Sequence, residues 1–201
     1  MRNGAPAEAG SAASSSSGET AEAPDEALML AYVAGDAAAF DALYARHKGP
    51  LYRYFKRQLP EAEANDCFQT LWLKLIDHRD RYRDDAPFRN FLFTLAHNVL
   101  MDQHRKNMRN SERTSEQDFD ELAASTPDPA DSSARSQLRS RLYGLIAALP
   151  LAQREAWLLR QETDLSTQEI AEVTGSSEEG IKSRLRYARN KLKEGMARYA
   201  G

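Results

Sequence analysis

The stretch STQEIAEVTGSSEEGIKSRLRYARNKLKEGM, Ser166 to Met196, decides the fold. Ser166 to Glu169 and Ser176 to Glu179 each match the capping box, in which a serine side chain caps the third amide and the glutamate reaches back. Two helix starts ten residues apart are therefore predicted. The first helix carries Ile170, Ala171 and Val173, and Gly175 follows where the chain must turn sharply, a place for positive φ. In the second helix Ile181, Leu185, Ala188, Leu192 and Met196 recur every three or four residues and form one apolar stripe, with Ile181 as its anchor. Lys182, Arg186, Arg189 and Lys193 run along a neighbouring face. Seven basic residues from 182 to 198 meet only Glu194 there, so their repulsion is uncompensated unless a polyanion is the partner. An ordinary αα-hairpin shares the turn chemistry. Paired caps, a small-residue turn and a basic second helix together favour a helix-turn-helix, whose second helix enters the major groove.

Working outward, the chain has 201 residues, 28% charged and 41% hydrophobic, enough for one ordinary domain or two small ones. No apolar run approaches the ~20 residues of a membrane span, and the first residues lack a signal-peptide core, so no membrane insertion and a cytoplasmic protein are expected. The lone Cys67 excludes an internal disulfide and a multi-cysteine zinc site and reads as a buried apolar residue. The net charge of -3 hides a partition: -4 over residues 1 to 26, +2 over 27 to 106, -4 over 107 to 137 and +3 over 138 to 201. Residues 1–24 read as a disordered tail and 108–137 as a flexible acidic linker, both lacking apolar periodicity. Residues 25–107 and 138–201 carry helix-period patterns with few β-branched runs. The fold class expected is all-α, two small helical domains. No Gly-rich phosphate loop stands out, His47, His78, His97 and His104 show no metal spacing, and Asp84-Asp85 reads as a solvated pair, so neither cofactor, metal site nor catalytic residue is assigned.

Leu149 to Leu192 resembles the fourth conserved region of bacterial RNA polymerase sigma factors, above all the small extracytoplasmic-function class. The likeness rests on Leu149-Pro150 followed by an arginine, the EIA helix, and KSRLRYAR. Asn65 to Lys106 is independently similar to the second conserved region, with Asp66 and Gln69 three apart, a tryptophan, an F-x-x-F-L-F segment and a closing A-x-N-x-x-x-D-x-x-R. Two departures stand out: Gly180 replaces the family's usual Thr or Ser, and Phe91 a tryptophan.

The resemblance implies a non-catalytic subunit that binds core RNA polymerase, directs it to a promoter and helps open the duplex. By the same resemblance, Lys182, Ser183 and Arg186, flanked by Arg184, Tyr187 and Arg189, face the minus-thirty-five element. Arg83, Phe88, Arg89, Asn98, Arg105 and Lys106 face the minus-ten element, with Asn98 as the base reader. Phe91 and Phe93, spaced for a helix, read as core. Asp66, Gln69 and Thr70 present one helix face to the β′ clamp coiled coil, while Trp72 and Leu73 read as core. Trp157 and Leu158 offer an apolar strip to the β flap. An anti-sigma factor is the further partner expected, and the free chain is expected to be a monomer whose domains take a fixed spacing only on polymerase. A stand-alone helix-turn-helix regulator is the alternative, but it predicts a dimer on a palindrome, and no dedicated dimer helix is visible. A mimic that only sequesters an inhibitor would not need an intact basic helix.

Overall fold

The computed structural model describes residues 23–113 and 134–198. The expected tail up to residue 22 and residues 114–133 of the expected linker lie outside the described residues. Among these the chain forms eight α-helices and no strand. They are α1 (Asp25–Val33), α2 (Ala37–Lys56), α3 (Glu61–Asp77), α4 (Phe88–Arg113), α5 (Ala134–Ala147), α6 (Leu151–Thr163), α7 (Thr167–Thr174) and α8 (Glu178–Ala197), with a 3₁₀ turn at Arg79–Arg81. Helix α4 runs past residue 107 and α5 begins before 138, so both blocks extend by a few residues into the expected linker.

In the N-terminal block two helix starts have a local cause legible in the sequence. Asp36 accepts from the Ala38 amide at 2.9 Å ahead of α2, and Pro60 precedes α3 with no amide of its own to satisfy. Leu43, Leu51, Phe55, Leu71, Leu75, Leu92 and Leu100 are completely buried. Burying each such side chain contributes roughly 1.5–3 kcal/mol. Cys67 sits in this core, its thiol pushed up to about 11 by burial and by Glu63 and Asp66. Trp72 is buried and meets Phe40 edge-on at 5.8 Å and Tyr44 at 4.8 Å. Leu73, one residue on, is 61% exposed. The reading of Leu73 as core is therefore corrected: the buried stripe runs Ala64, Cys67, Leu71, Leu75, and Leu73 falls on the opposite side of the helix.

The C-terminal block buries Leu158, Leu159, Leu165, Ile170 and Ile181 completely, and Ala188 and Leu192 extend that core along α8. Helices α5 and α8 cross closely at Gly195, where a Cβ would lie 2.5 Å from Leu145. Glycine is what permits that approach.

The two blocks are packed on one another, α2 against α6 and α4 against α7. Buried apolar residues of both blocks join in one core, and several polar bonds cross between them. Tyr54 Oη donates to Glu155 at 2.7 Å, and His97 Nδ1 lies 2.6 Å from the same oxygen. Arg53 and Arg57 both donate to Glu162, Arg53 at 2.7 Å, and the Arg57 guanidinium lies 4.8 Å from the Tyr143 ring centroid. Arg89 donates to the Thr163 carbonyl at 2.8 Å. In this structure the two blocks are in contact through these bonds.

His104 lies beside this contact. Burial first, then the Arg154 guanidinium, lowers its pKa from the ordinary 6.5, and its Nε2 is buried without a partner. The neutral ring is the folded form. A depressed folded pKa means that the contribution is complete above the ordinary value and is lost as pH falls toward the depressed one. Thermal melts should therefore show stability falling as pH drops below about 6.5, and His104→Gln should flatten that limb. An unchanged slope in His104→Gln would assign it to other groups.

Candidate nucleic-acid interface

The helix-turn-helix is α7 and α8. Ser166 accepts from the Glu169 amide at 3.2 Å while the Glu169 carboxylate accepts from the Ser166 amide at 2.8 Å, so the first capping box is complete. Those bonds, backbone first, lower the Glu169 pKa. The turn closes as a Schellman motif: the Ser176 amide donates to the Ala171 carbonyl at 2.9 Å and the Gly175 amide to that of Glu172 at 3.3 Å, with Gly175 at φ +59°. The second start differs from the one predicted. Ser177, not Ser176, caps α8, accepting from the Gly180 amide at 3.1 Å, and the third position is therefore Gly180 rather than a glutamate. Ser176 has another task, since its hydroxyl accepts from Arg184 at 2.9 Å.

That bond divides the basic helix into two kinds of residue. Arg184 is half-buried and ties α8 to the turn. Lys182 projects outward, paired with Glu178 at 2.9 Å, a contact that raises its pKa. Ser183 is half-buried beside it. Arg186, Tyr187 and Arg189 are exposed, and the Arg186 guanidinium lies 5.5 Å from the Tyr187 ring centroid. An open groove of about 590 Å³ runs between α6 and α8, floored by Trp157 and Leu185 and edged by Arg160, Arg186, Arg189 and Lys193. Arg160 escaped the sequence reading because only the crossing of α6 over α8 brings it here. Lys193 was legible on the basic face and was not assigned a role.

The residues expected at the minus-ten element divide as well. Asn98 is exposed on α4, with Arg105 and Lys106 two turns along and also exposed. Arg105 pairs with Asp102, and that hydrogen bond is the main cause of the lowered Asp102 pKa. Arg83 is exposed in the preceding loop and donates to the Asp80 and Tyr82 carbonyls at 3.1 and 3.0 Å. Phe88 is completely buried against Tyr82 and His47, and its amide donates to Glu26 at 2.8 Å. It cannot stack on a base from that position, and the expectation is corrected: Phe88 is a core and helix-start residue. Phe93 is buried and Phe91 packs half-buried against the core. Arg89, an exposed residue, is drawn toward α6 by Thr163.

On α3, Asp66, Gln69 and Thr70 are exposed at i, i+3 and i+4, and Leu73 continues the same face one turn on. On α6, Trp157 is half-buried at the groove, while Leu158 is completely buried. Leu158 cannot be presented to a partner, so the apolar strip reduces to Trp157. Adjacent helical residues point about 100° apart, and α6 turns 158 into the core.

Residues 43–110 match the family described as Sigma-70 region 2, and residues 139–192 match Sigma-70, region 4. Among curated proteins, the RNA polymerase sigma factor NccH of Alcaligenes xylosoxydans is 30% identical over 172 residues, covering 84% of this chain and 92% of that one. The ECF RNA polymerase sigma factor SigL of Mycobacterium tuberculosis is 32% identical over 158 residues, covering 77% and 87%. Two solved structures share the fold. CnrH, in complex with the cytosolic domain of CnrY, superposes with a TM-score of 0.63 at 23% identity, covering 85% of this chain and 95% of that one. RpoE of Bartonella quintana, in complex with the anti-sigma factor NepR, gives 0.65 at 23%, covering 79% and 96%.

Two short helical blocks in this order, the second ending in a basic helix-turn-helix, define a promoter-specificity subunit of RNA polymerase. The chain belongs to the extracytoplasmic-function sigma factors of the sigma-70 family. Members of that family are non-catalytic subunits that recognise promoters and initiate transcription.

Proposed function

We propose that this chain joins core RNA polymerase in the cytoplasm, places α8 in the major groove at the minus-thirty-five element and uses α4 with its preceding loop to open the duplex at minus ten. The observation that carries the reading is the helix-turn-helix itself: a complete capping box, a Schellman turn and a helix whose cations Lys182, Arg186 and Arg189 stand exposed. Asp66, Gln69, Thr70 and the exposed Leu73 supply the face for the β′ clamp, and Trp157 the contact for the flap. An anti-sigma factor is the further partner proposed, since the sigma factor RpoE, which shares this fold, was solved with the anti-sigma factor NepR, and CnrH with the cytosolic domain of CnrY. Reconstitution tests the reading. Purified core polymerase mixed with this chain should co-elute on a sizing column and yield run-off product from a selected promoter; a free dimer bound to a palindrome, with no co-elution, would favour an independent regulator.

The exposure pattern sets apart the roles within α8. Arg186→Ala should weaken binding to the minus-thirty-five element by about 1–3 kcal/mol if the guanidinium reads a guanine. If it meets a phosphate, affinity should fall on all sequences and the salt slope by about one. Arg184→Ala should instead lower thermal stability through the lost bond to Ser176 and leave the salt slope as it was. Fluorescence anisotropy at several salt concentrations, with melts of both variants, checks this, and a salt slope that drops in Arg184→Ala but not in Arg186→Ala would reverse the assignment.

A further inference from the structure

Helix α1 precedes the stretch matched as Sigma-70 region 2, which begins at residue 43, yet it packs on both ends of the loop that leads into α4. It meets the 3₁₀ turn at Arg79–Arg81, where that loop begins, and α4, where it ends. At the entrance the Arg79 guanidinium lies 5.8 Å from the Tyr32 ring centroid. At the exit the half-buried Glu26 accepts from the Phe88 amide at 2.8 Å. Between these two points Arg83, Asp84, Asp85, Ala86 and Pro87 are exposed.

The bond at the exit meets a need that the neighbouring sequence leaves open. Pro87 stands immediately before α4 and has no side-chain acceptor to offer the first amides of the helix. Its carbonyl takes the Asn90 amide at 2.9 Å. The Phe88 amide goes to a carboxylate 62 positions earlier in the chain, and a negative charge there also complements the positive end of the helix dipole. Glu26 is held in turn through its neighbour. Asp25 pairs with Arg46 and with His47 on α2, each at 2.6 Å, and Arg46 donates to the Ala23 carbonyl at 2.7 Å. Leu28 and Met29 are buried one turn on, so the start of α1 is fixed. Tyr82, at the other end of the loop, packs edge-on against Phe88 at 5.9 Å and Phe91 at 5.4 Å, and its hydroxyl is buried without a partner. Ring packing, not a side-chain bond, holds that end. The charge-assisted bond from Glu26 is the directional tie at the other.

We propose that Glu26 is a positioning residue for promoter opening: its carboxylate fixes the first turn of α4, and with it the place at which the loop from Arg83 to Pro87 meets the minus-ten element, without touching DNA itself. The inference rests on the sigma reading above. With the tie gone the first turn of α4 frays, and a loop that has to be ordered at each encounter holds its strand more weakly than one already in place.

Three replacements separate reach from charge. Glu26→Gln keeps an acceptor at the same reach without the charge, Glu26→Asp keeps the charge one methylene short of the amide, and Glu26→Ala removes both. In the free chain, hydrogen exchange between Tyr82 and Phe91 should rise in Glu26→Ala and Glu26→Asp and stay near the parent in Glu26→Gln. On polymerase, permanganate reactivity should show opening reduced about fivefold, the factor carried by a lost helix cap, in the first two and near-parental opening in the third. Co-elution with core polymerase and affinity for duplex minus-thirty-five DNA should hold in all three. Unchanged exchange in Glu26→Ala overturns the tie, and raised exchange with parental opening overturns the positioning role. Faster opening in Glu26→Ala and Glu26→Gln alike would overturn it too, by making Glu26 a charge that repels DNA. No opening by the parent chain overturns the sigma reading and this inference with it, an outcome told apart from the others because the parent itself fails. Should Glu26→Ala lose its helical signal, the other two variants decide: equal opening by Glu26→Asp and Glu26→Gln overturns the proposal.

Discussion

Leu158→Ala is expected to destabilise the C-terminal block by about 2–5 kcal/mol, while Trp157→Ala, one residue away, costs less stability and weakens the complex with polymerase. Leu158 is completely buried with Leu159, Leu165 and Ile170. Truncation there removes three carbons from a close-packed site and leaves a cavity that the surrounding helices fill only in part. Trp157 is half-buried at the floor of the groove between α6 and α8, with one face toward solvent. An exposed aromatic face is the kind of surface that anchors a partner. Thermal melts report the first effect, and co-elution with core polymerase the second. The outcome that would sink this division is Leu158→Ala melting like the parent chain while losing polymerase, because a buried side chain has no direct route to a partner.

The pair also shows what the sequence could and could not reveal. A capping box is local, so Ser166 and Glu169 could be read from spacing alone, and both bonds exist. The second start was ambiguous because Ser176, Ser177, Glu178 and Glu179 allow two registers. The choice is made by the Schellman turn, which commits the Ser176 amide backward to Ala171 and leaves Ser177 to cap. Leu73 could have been read correctly: the stripe of Ala64, Cys67, Leu71 and Leu75 puts position 73 about 200° from 71. The contact between the blocks was beyond reach. Arg53, Arg57, Glu155 and Glu162 look like ordinary solvated charges, and the pairing of Arg57 with Glu162 joins residues 105 positions apart. No periodicity encodes such a pairing, because polar docking surfaces carry no apolar stripe.

Asn98→Ala is expected to leave polymerase binding and duplex minus-thirty-five binding nearly intact while cutting promoter opening by about 1–3 kcal/mol, the value of a good side-chain contact to a base edge. Opening requires a surface that holds a base once it leaves the stack, through an amide that reads its edge or an aromatic that replaces stacking. The burial of Phe88 and Phe93 removes them as free stacking platforms. That shifts the demand onto Asn98, which is exposed on α4 between His97, engaged with Glu155, and Val99, which is buried. A carboxamide held on a helix by a packed neighbour on its C-terminal side is well placed for edge recognition, because the backbone beneath it cannot yield. If Arg83 in the loop and Arg105 and Lys106 along the helix meet the single-strand phosphates, their replacement by alanine should reduce opening more at low salt than at high salt. Permanganate reactivity of unpaired thymines measures opening directly. An Asn98→Ala chain that melts its promoter as fast and as fully as the parent would move base capture to the Arg83 to Arg89 loop, and Arg83→Ala would then carry the larger defect.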